Sequence, residues 1–170
     1  MRSELLEQFQ APGLQEWLTR DPDFLIEPVR QNAAIVFIDL SGFTSLSEHL
    51  GPDRIRELLK DFHALVDKQA VTCGGMITSF LGDGAMILFG LPEAAPDDAF
   101  RAAKCSIGLC VSAEQWLASL PQLTAPRLGF KVGAHFGTII ASRLGGGSYH
   151  HVTAAGNTVN VASRLMEVAA

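Results

Sequence analysis

The stretch Ala33-Ala34-Ile35-Val36-Phe37-Ile38-Asp39-Leu40-Ser41-Gly42-Phe43-Thr44 decides how the rest of the chain reads. Six consecutive apolar residues, three of them β-branched, stop at an aspartate and a glycine-containing turn. That pattern predicts a strand buried on both faces and ending in a polar tip. Downstream, Ser45 or Ser47 is placed to cap a short helical turn. From Pro52 to Val71, residues Ile55, Leu58, Leu59, Phe62, Leu65 and Val66 recur on one helical face, and Gly74-Gly75 ends the run. Met76–Leu81 and Ala85–Phe89 are two short apolar runs around Gly82-Asp83-Gly84, which predicts a tight hairpin with Asp83 at its tip.

A second long helix is predicted from Pro96 to about Leu120, with Phe100, Ala103, Ile107, Cys110 and Val111 inward, before Pro121 and Pro126. Leu128–Phe136 and Thr138–Leu144 alternate as a strand pair, and Gly145-Gly146-Gly147-Ser148 reads as a flexible turn. Asn157 to about Val168 is helical, with Val161, Leu165 and Val168 inward. Upstream of the deciding stretch, Leu5, Leu6, Phe9, Leu14, Trp17 and Leu18 suggest a short helical arm that packs on its own domain or on a partner. The expected organisation is an arm over residues 1–32 followed by one domain over 33–170. The order strand, helix, hairpin, helix, strand pair, helix predicts an α+β fold of ferredoxin-like (βαββαβ) type. Its sheet is mainly antiparallel, with helices on one face.

Composition narrows the function classes. The chain has 170 residues, 48% hydrophobic, enough for one core. Thirteen Lys and Arg against 18 Asp and Glu give a net charge of −5, which argues against a nucleic-acid groove. No apolar run approaches the roughly 18 residues that span a bilayer, and the start is acidic rather than a signal sequence, so a cytoplasmic location is expected. Cys73, Cys105 and Cys110 lack metal-ligand spacing and read as reduced core residues. His135, His150 and His151 read as ordinary strand and loop residues.

Asp39 and Asp83 each have a plain reading as turn residues. In a ferredoxin-like sheet, however, the first strand and the hairpin are neighbours, so the two carboxylates converge. Such a pair suits hard divalent cations, and Mg²⁺ prefers one or two carboxylates with water and substrate phosphate oxygens. The turn at Gly42-Phe43-Thr44 leads into a helix whose free N–H groups suit phosphate. Asn160 and Arg164, four residues apart, share one exposed helix face if Val161 and Leu165 face the core. An ordinary capped surface helix is the alternative.

Together these motifs resemble the class III nucleotidyl cyclase catalytic domain, the adenylate and guanylate cyclase family. Phe37–Thr44 is similar to its first metal motif, Leu81-Gly82-Asp83-Gly84 to its second, and Gly156–Arg164 to its transition-state helix. The resemblance implies formation of a 3′,5′-cyclic nucleotide and pyrophosphate from a nucleoside triphosphate with two Mg²⁺ or Mn²⁺ ions per site. It implies that Asp39, Asp83 and the Leu40 carbonyl hold metal, and that the Gly42, Phe43 and Thr44 turn holds phosphate. Asn160 would orient the ribose and Arg164 would stabilise the reacting phosphoryl group. In that family one domain supplies the metals and the other the Asn and Arg, so a homodimer with two sites is expected.

The base-reading positions of the family fall on Ser79 and Thr153. Thr153 resembles the bacterial and soluble-cyclase branch, whereas Ser79 replaces the usual Lys or Glu; Thr78 takes its place if the alignment slips by one. ATP is favoured over GTP because the guanine-reading Glu is absent. A catalytically silent, nucleotide-binding dimerisation module and a guanylate cyclase are the alternatives. Cyclase domains usually continue into further strands after the last motif, so a C-terminally shortened domain is expected, with regulatory or effector domains possible in a longer chain.

Overall fold

The deciding stretch lies at the centre of the sheet. The computed structural model describes residues 18–81, 83–121, 128–146 and 149–169, apart from the side chains at 79, 81, 145, 146 and 149–151. Strand β1 (Val29–Ser41) lies antiparallel between β3 (Gly84–Phe89) and β4 (Gly129–Gly146). With β2 (Met76–Leu81) and β5 (Tyr149–Ala155) the order is β2-β3-β1-β4-β5. The ferredoxin-like class is met, with β5 added at the edge. Ala34, Val36, Ile38 and Leu40 enter one core layer and Ala33 and Ile35 the other, which is why the sequence shows a continuous apolar run rather than alternation.

Helix α1 (Phe43–Ser47) follows β1 directly. Its N-cap is Gly42 at φ 80°, a left-handed conformation that favours glycine, rather than either serine; the Ser47 hydroxyl instead donates back to the Thr44 carbonyl at 2.7 Å. Helix α2 (Pro52–Cys73) starts with Pro52 in its first turn and ends at Gly74. It buries Phe62, Val66, Ala70 and Cys73 against the sheet and Leu58 in a separate cluster with Leu46 and Leu128. Arg101 of α3 (Asp98–Ser119) closes that end, donating to the Cys73 and Gly74 carbonyls at 3.2 and 2.9 Å and to buried Asp98 at 2.6 Å.

The inward face of α3 differs from the expected one. Ala102, Cys105, Leu109 and Ala113 are buried, whereas Phe100 and Ile107 are 70% and 67% exposed and Val111 also points outward. Small residues win the interface because α3 packs closely against both the sheet and α2, where the Gln69 amide donates to the Ser112 hydroxyl at 2.9 Å. The cysteines are free thiols, as expected. Burial and the neighbouring Cys73 push the Cys105 thiol up to about 12, so it stays protonated and unreactive.

Two further corrections concern the C-terminal half. The expected strand pair 128–136 and 138–144 is one continuous strand, β4, and its partner is β5, paired from Ile140↔Ala155 to Gly146↔Tyr149. Gly137 does not break the strand. Helix α4 (Asn157–Val168) has the expected bounds but buries Thr158 and Ala162, while Leu165 is 43% exposed and Val168 points outward. It also lies on the sheet face opposite α2 and α3, packing with Ala33, Ile35, Ile139 and Ala141. Gly133 and Gly137 make this possible: a Cβ at Gly133 would fall 2.5 Å from the Ala162 carbonyl oxygen, and one at Gly137 would fall 2.5 Å from Thr158 Oγ1. A Gly133→Ala variant is therefore expected to lose about 1–3 kcal/mol by overpacking backbone against backbone, read as a lowered urea midpoint.

Strand β1 begins at Val29, within the stretch read as an arm. Phe24 and Leu25 pack on the α4 side of the sheet, and Arg143 of β4 ties the turn before them through its backbone amide to the Leu25 carbonyl and Nη2 to the Pro22 carbonyl, at 2.8 and 3.0 Å. Residues 1–17, Gly82, and Gly147-Ser148 of the predicted flexible turn lie outside the described residues. Among the described residues no helix is long and apolar enough to cross a membrane.

Candidate active site

The β1–β3 register sets Asp39 opposite Gly84, and the Leu40 amide donates to the Asp83 carbonyl at 2.9 Å. The hairpin tip is thereby pinned to the end of β1, which brings the two carboxylates together. Asp39 is half-buried, and its carboxyl is held above the usual range first by burial and then by the Asp83 carboxylate; the Leu40 amide and Lys131 pull it down. A Cβ on Gly84 would lie 3.1 Å from Asp39 Oδ1, so the missing side chain keeps this space open.

On the other flank the β1–β4 register sets Lys131 directly opposite Asp39. Its ammonium donates to the Glu167 carbonyl at 3.1 Å, near the end of α4. Asp39, Leu40, Ser41, Lys131, Met166 and Glu167 line a cleft of about 220 Å³. Sequence reading missed Lys131; its signal was a lone cation among the apolar residues Phe130, Val132 and Ala134. Gly42 hands the chain from β1 into α1, so the Phe43 and Thr44 amides belong to a first helical turn, where N–H groups lack intrahelical partners.

The donor set fits a hard divalent cation. Two adjacent carboxylates repel each other until a positive charge joins them, and the Leu40 backbone stands beside them. No group of three or more His, Cys, Asp or Glu occurs among the described residues, so oxygen ligands from a substrate and water would have to complete a shell.

The remaining predicted residues stand apart from this cleft. Asn160 and Arg164 are exposed on α4, as expected, and are not among the cleft's lining residues; α4 contributes Met166 and Glu167 instead. Val161 and Leu165 are not the core face that was expected to turn them outward. Thr153 is half-buried on β5 opposite Ser142, with their hydroxyls 3.1 Å apart. The Ser79 backbone pairs with Met86 just past a register irregularity, and its side chain lies outside the described residues. Thr78 is buried, its hydroxyl 3.4 Å from the Met86 carbonyl. His135 is half-buried opposite Ile35, remote in register from Asp39; the side chains of His150 and His151 lie outside the described residues.

The sheet order and the paired carboxylates at the tips of the first strand and the hairpin together define the class of domain. The family model described as the adenylate and guanylate cyclase catalytic domain matches residues 26–170. Adenylate cyclase 2 of Rhizobium meliloti (strain 1021) is 32% identical over 143 residues, 82% of this chain and 38% of that protein. Adenylate cyclase 1 of the same organism is 29% identical over 136 residues, 80% of this chain and 20% of that protein. Among solved structures, the adenylyl cyclase CyaB from P. aeruginosa superposes with a TM-score of 0.73 at 30% identity, covering 85% of this chain and 75% of that one. The guanylyl cyclase Cya2 superposes with a TM-score of 0.77 at 27% identity, covering 84% and 72%. The chain belongs to the class III adenylate and guanylate cyclase catalytic domain family. It spans 38% or less of the length of these two curated relatives.

Proposed function

We propose that this domain converts ATP to 3′,5′-cyclic AMP and pyrophosphate at a homodimer interface. The observation that carries the reading is the convergence of Asp39 and Asp83, with Lys131 beside Asp39 on the neighbouring strand. In the reaction the ribose 3′ oxygen bonds to the α-phosphorus, the bond from that phosphorus to the β-phosphate bridge breaks, pyrophosphate leaves, and the 3′ proton passes to solvent or to substrate. Asp39, Asp83 and the Leu40 carbonyl would hold two Mg²⁺ or Mn²⁺ ions, which when bound lower the hydroxyl pKa and neutralise phosphate charge.

The chain's own groups do the positioning. The Gly42-Phe43-Thr44 turn offers backbone amides to the phosphates, and Lys131 offers an ammonium at the same end of the sheet. Asn160 orients the ribose, and Arg164 meets the charge that develops on the phosphoryl oxygens. Because neither Asn160 nor Arg164 lines its own chain's cleft, each chain carries two half-sites. A twofold dimer closes both.

ATP is favoured over GTP because Ser79 supplies no guanine-reading carboxylate and Thr153 fits the adenine-reading branch. Ser79 also favours a second reading, a module that binds nucleotide without turning it over, since it supplies no charged donor to the base either. Incubation with ATP or GTP and Mn²⁺, followed by chromatography of the nucleotides, separates the two. Cyclic AMP with equimolar pyrophosphate is expected; binding without product establishes the silent module. Lys131→Met is expected to raise the KM for ATP about 10- to 100-fold, the scale of one hydrogen bond to a charged group.

A further inference from the structure

Away from the cleft, the β4–β5 ribbon carries a second group of polar side chains. Ile140, Ser142 and Leu144 alternate along β4 and so share one face. The register places Ala155 beside Ile140 and Thr153 beside Ser142. The Ser142 and Thr153 hydroxyls are 3.1 Å apart, and either can be the donor. Both residues are half-buried, while the flanking Ile140 and Leu144 are 37% and 58% exposed. A hydroxyl pair between exposed apolar side chains suits a flat heteroaromatic ring that lays its carbon face on them and turns its polar edge to the oxygens.

We infer that Ser142 is a positioning residue for purine selection, setting whether Thr153 presents a proton or a lone pair to the 6-position of the base. This rests on the reading of Thr153 as a base-facing residue. The two purines differ in sign at that position: adenine carries an amino donor and guanine a carbonyl acceptor. A hydroxyl has one proton to give and two lone pairs to accept with. When Thr153 donates to Ser142, its oxygen accepts from the adenine amino group. When Ser142 donates to Thr153, the Thr153 proton is available to the guanine carbonyl. The pair thus changes sign by rotating two hydrogens, with no heavy atom displaced, and the preference between ATP and GTP is narrow.

Removing the Ser142 hydroxyl breaks this balance. With alanine at 142, a Thr153 that accepts from adenine leaves its own proton unpaired. A Thr153 that donates to guanine leaves only a lone pair unpaired. Once the bound base covers the pair from water, an unpaired donor is the costlier of the two.

The test compares dissociation constants of α,β-methylene ATP and α,β-methylene GTP, which cannot be cyclised, in Mg²⁺ buffer for wild type, Ser142→Ala, Ser142→Thr and Thr153→Val. Wild type is expected to bind the two within about tenfold of each other. Ser142→Ala shifts the ratio about three- to tenfold towards the guanine analogue, and Ser142→Thr restores it. In turnover the shift appears in KM, with kcat little changed. If Thr153→Val moves the ratio and Ser142→Ala does not, the role of Ser142 is overturned while the base-facing reading stands. A ratio unmoved by Thr153→Val overturns that reading, and failure of wild type to bind either analogue overturns the nucleotide site itself.

Discussion

Asp83→Asn is expected to cut cyclic-nucleotide formation by at least about two orders of magnitude, the scale of losing one preorganised charge group, and at the same time to stabilise the metal-free fold. The two effects share one cause. Asp39 carries a carboxyl whose pKa is raised by burial and by the neighbouring Asp83 charge, so the folded chain holds that proton more tightly than the unfolded chain does. A raised folded pKa gives stability that is complete below the unfolded value of 3.8 and is lost as pH rises through the folded value. At neutral pH the fold therefore carries a repulsion that asparagine at 83 removes. Thermal melts without metal should show a higher Tm for the variant. Added Mn²⁺ should raise the Tm of wild type and leave the variant nearly unmoved. Unchanged product formation in both Asp39→Asn and Asp83→Asn overturns the assignment of these carboxylates to metal.

Two inactive variants should restore each other when mixed. Asp83→Asn loses the acidic half-site and Arg164→Ala the helical half-site, and each homodimer alone should fall at least about 100-fold. After mixing and re-equilibration, about half the dimers pair one chain of each kind. Such a dimer has one site built from an intact acidic half and an intact helical half, so activity should return to about a quarter of the wild-type level. No recovery, with mixed dimers demonstrated by differently tagged chains, would mean that Arg164 does not serve the partner's cleft.

Much of this arrangement is legible in the amino-acid order because local signals and tertiary demand coincide. Ala33–Ile38 must be buried on both sides, Asp39 and Asp83 end elements that have to be neighbours, and Gly42 sits where φ is 80°. The bounds of α4 are legible for the same reason. Its inward face is not, because Thr158 and Ala162 are chosen by glycines on another strand. Helix α3 has two apolar faces, and only the closeness of α2 and the sheet selects Cys105 and Leu109 over Phe100 and Ile107. Strand β5 is hidden by a polar start at Tyr149-His150-His151 and by glycines that read as a turn. Lys131 and Ser142 acquire their interest only from what stands opposite them, Asp39 and Thr153, and cross-strand register is not written in local sequence.

Bedding α4 on Gly133 and Gly137 has a mechanical outcome for its outer surface. Where side chains meet side chains, a helix can roll by several degrees as rotamers give way. Here its inner line meets the bare main chain of Gly133 and Gly137, and rolling would drive the Met166 backbone or the Thr158 side chain into space sized for a hydrogen atom. The azimuth of α4 is thus indexed to the strand beneath it, and the direction in which Asn160 and Arg164 leave the helix is fixed by the fold itself.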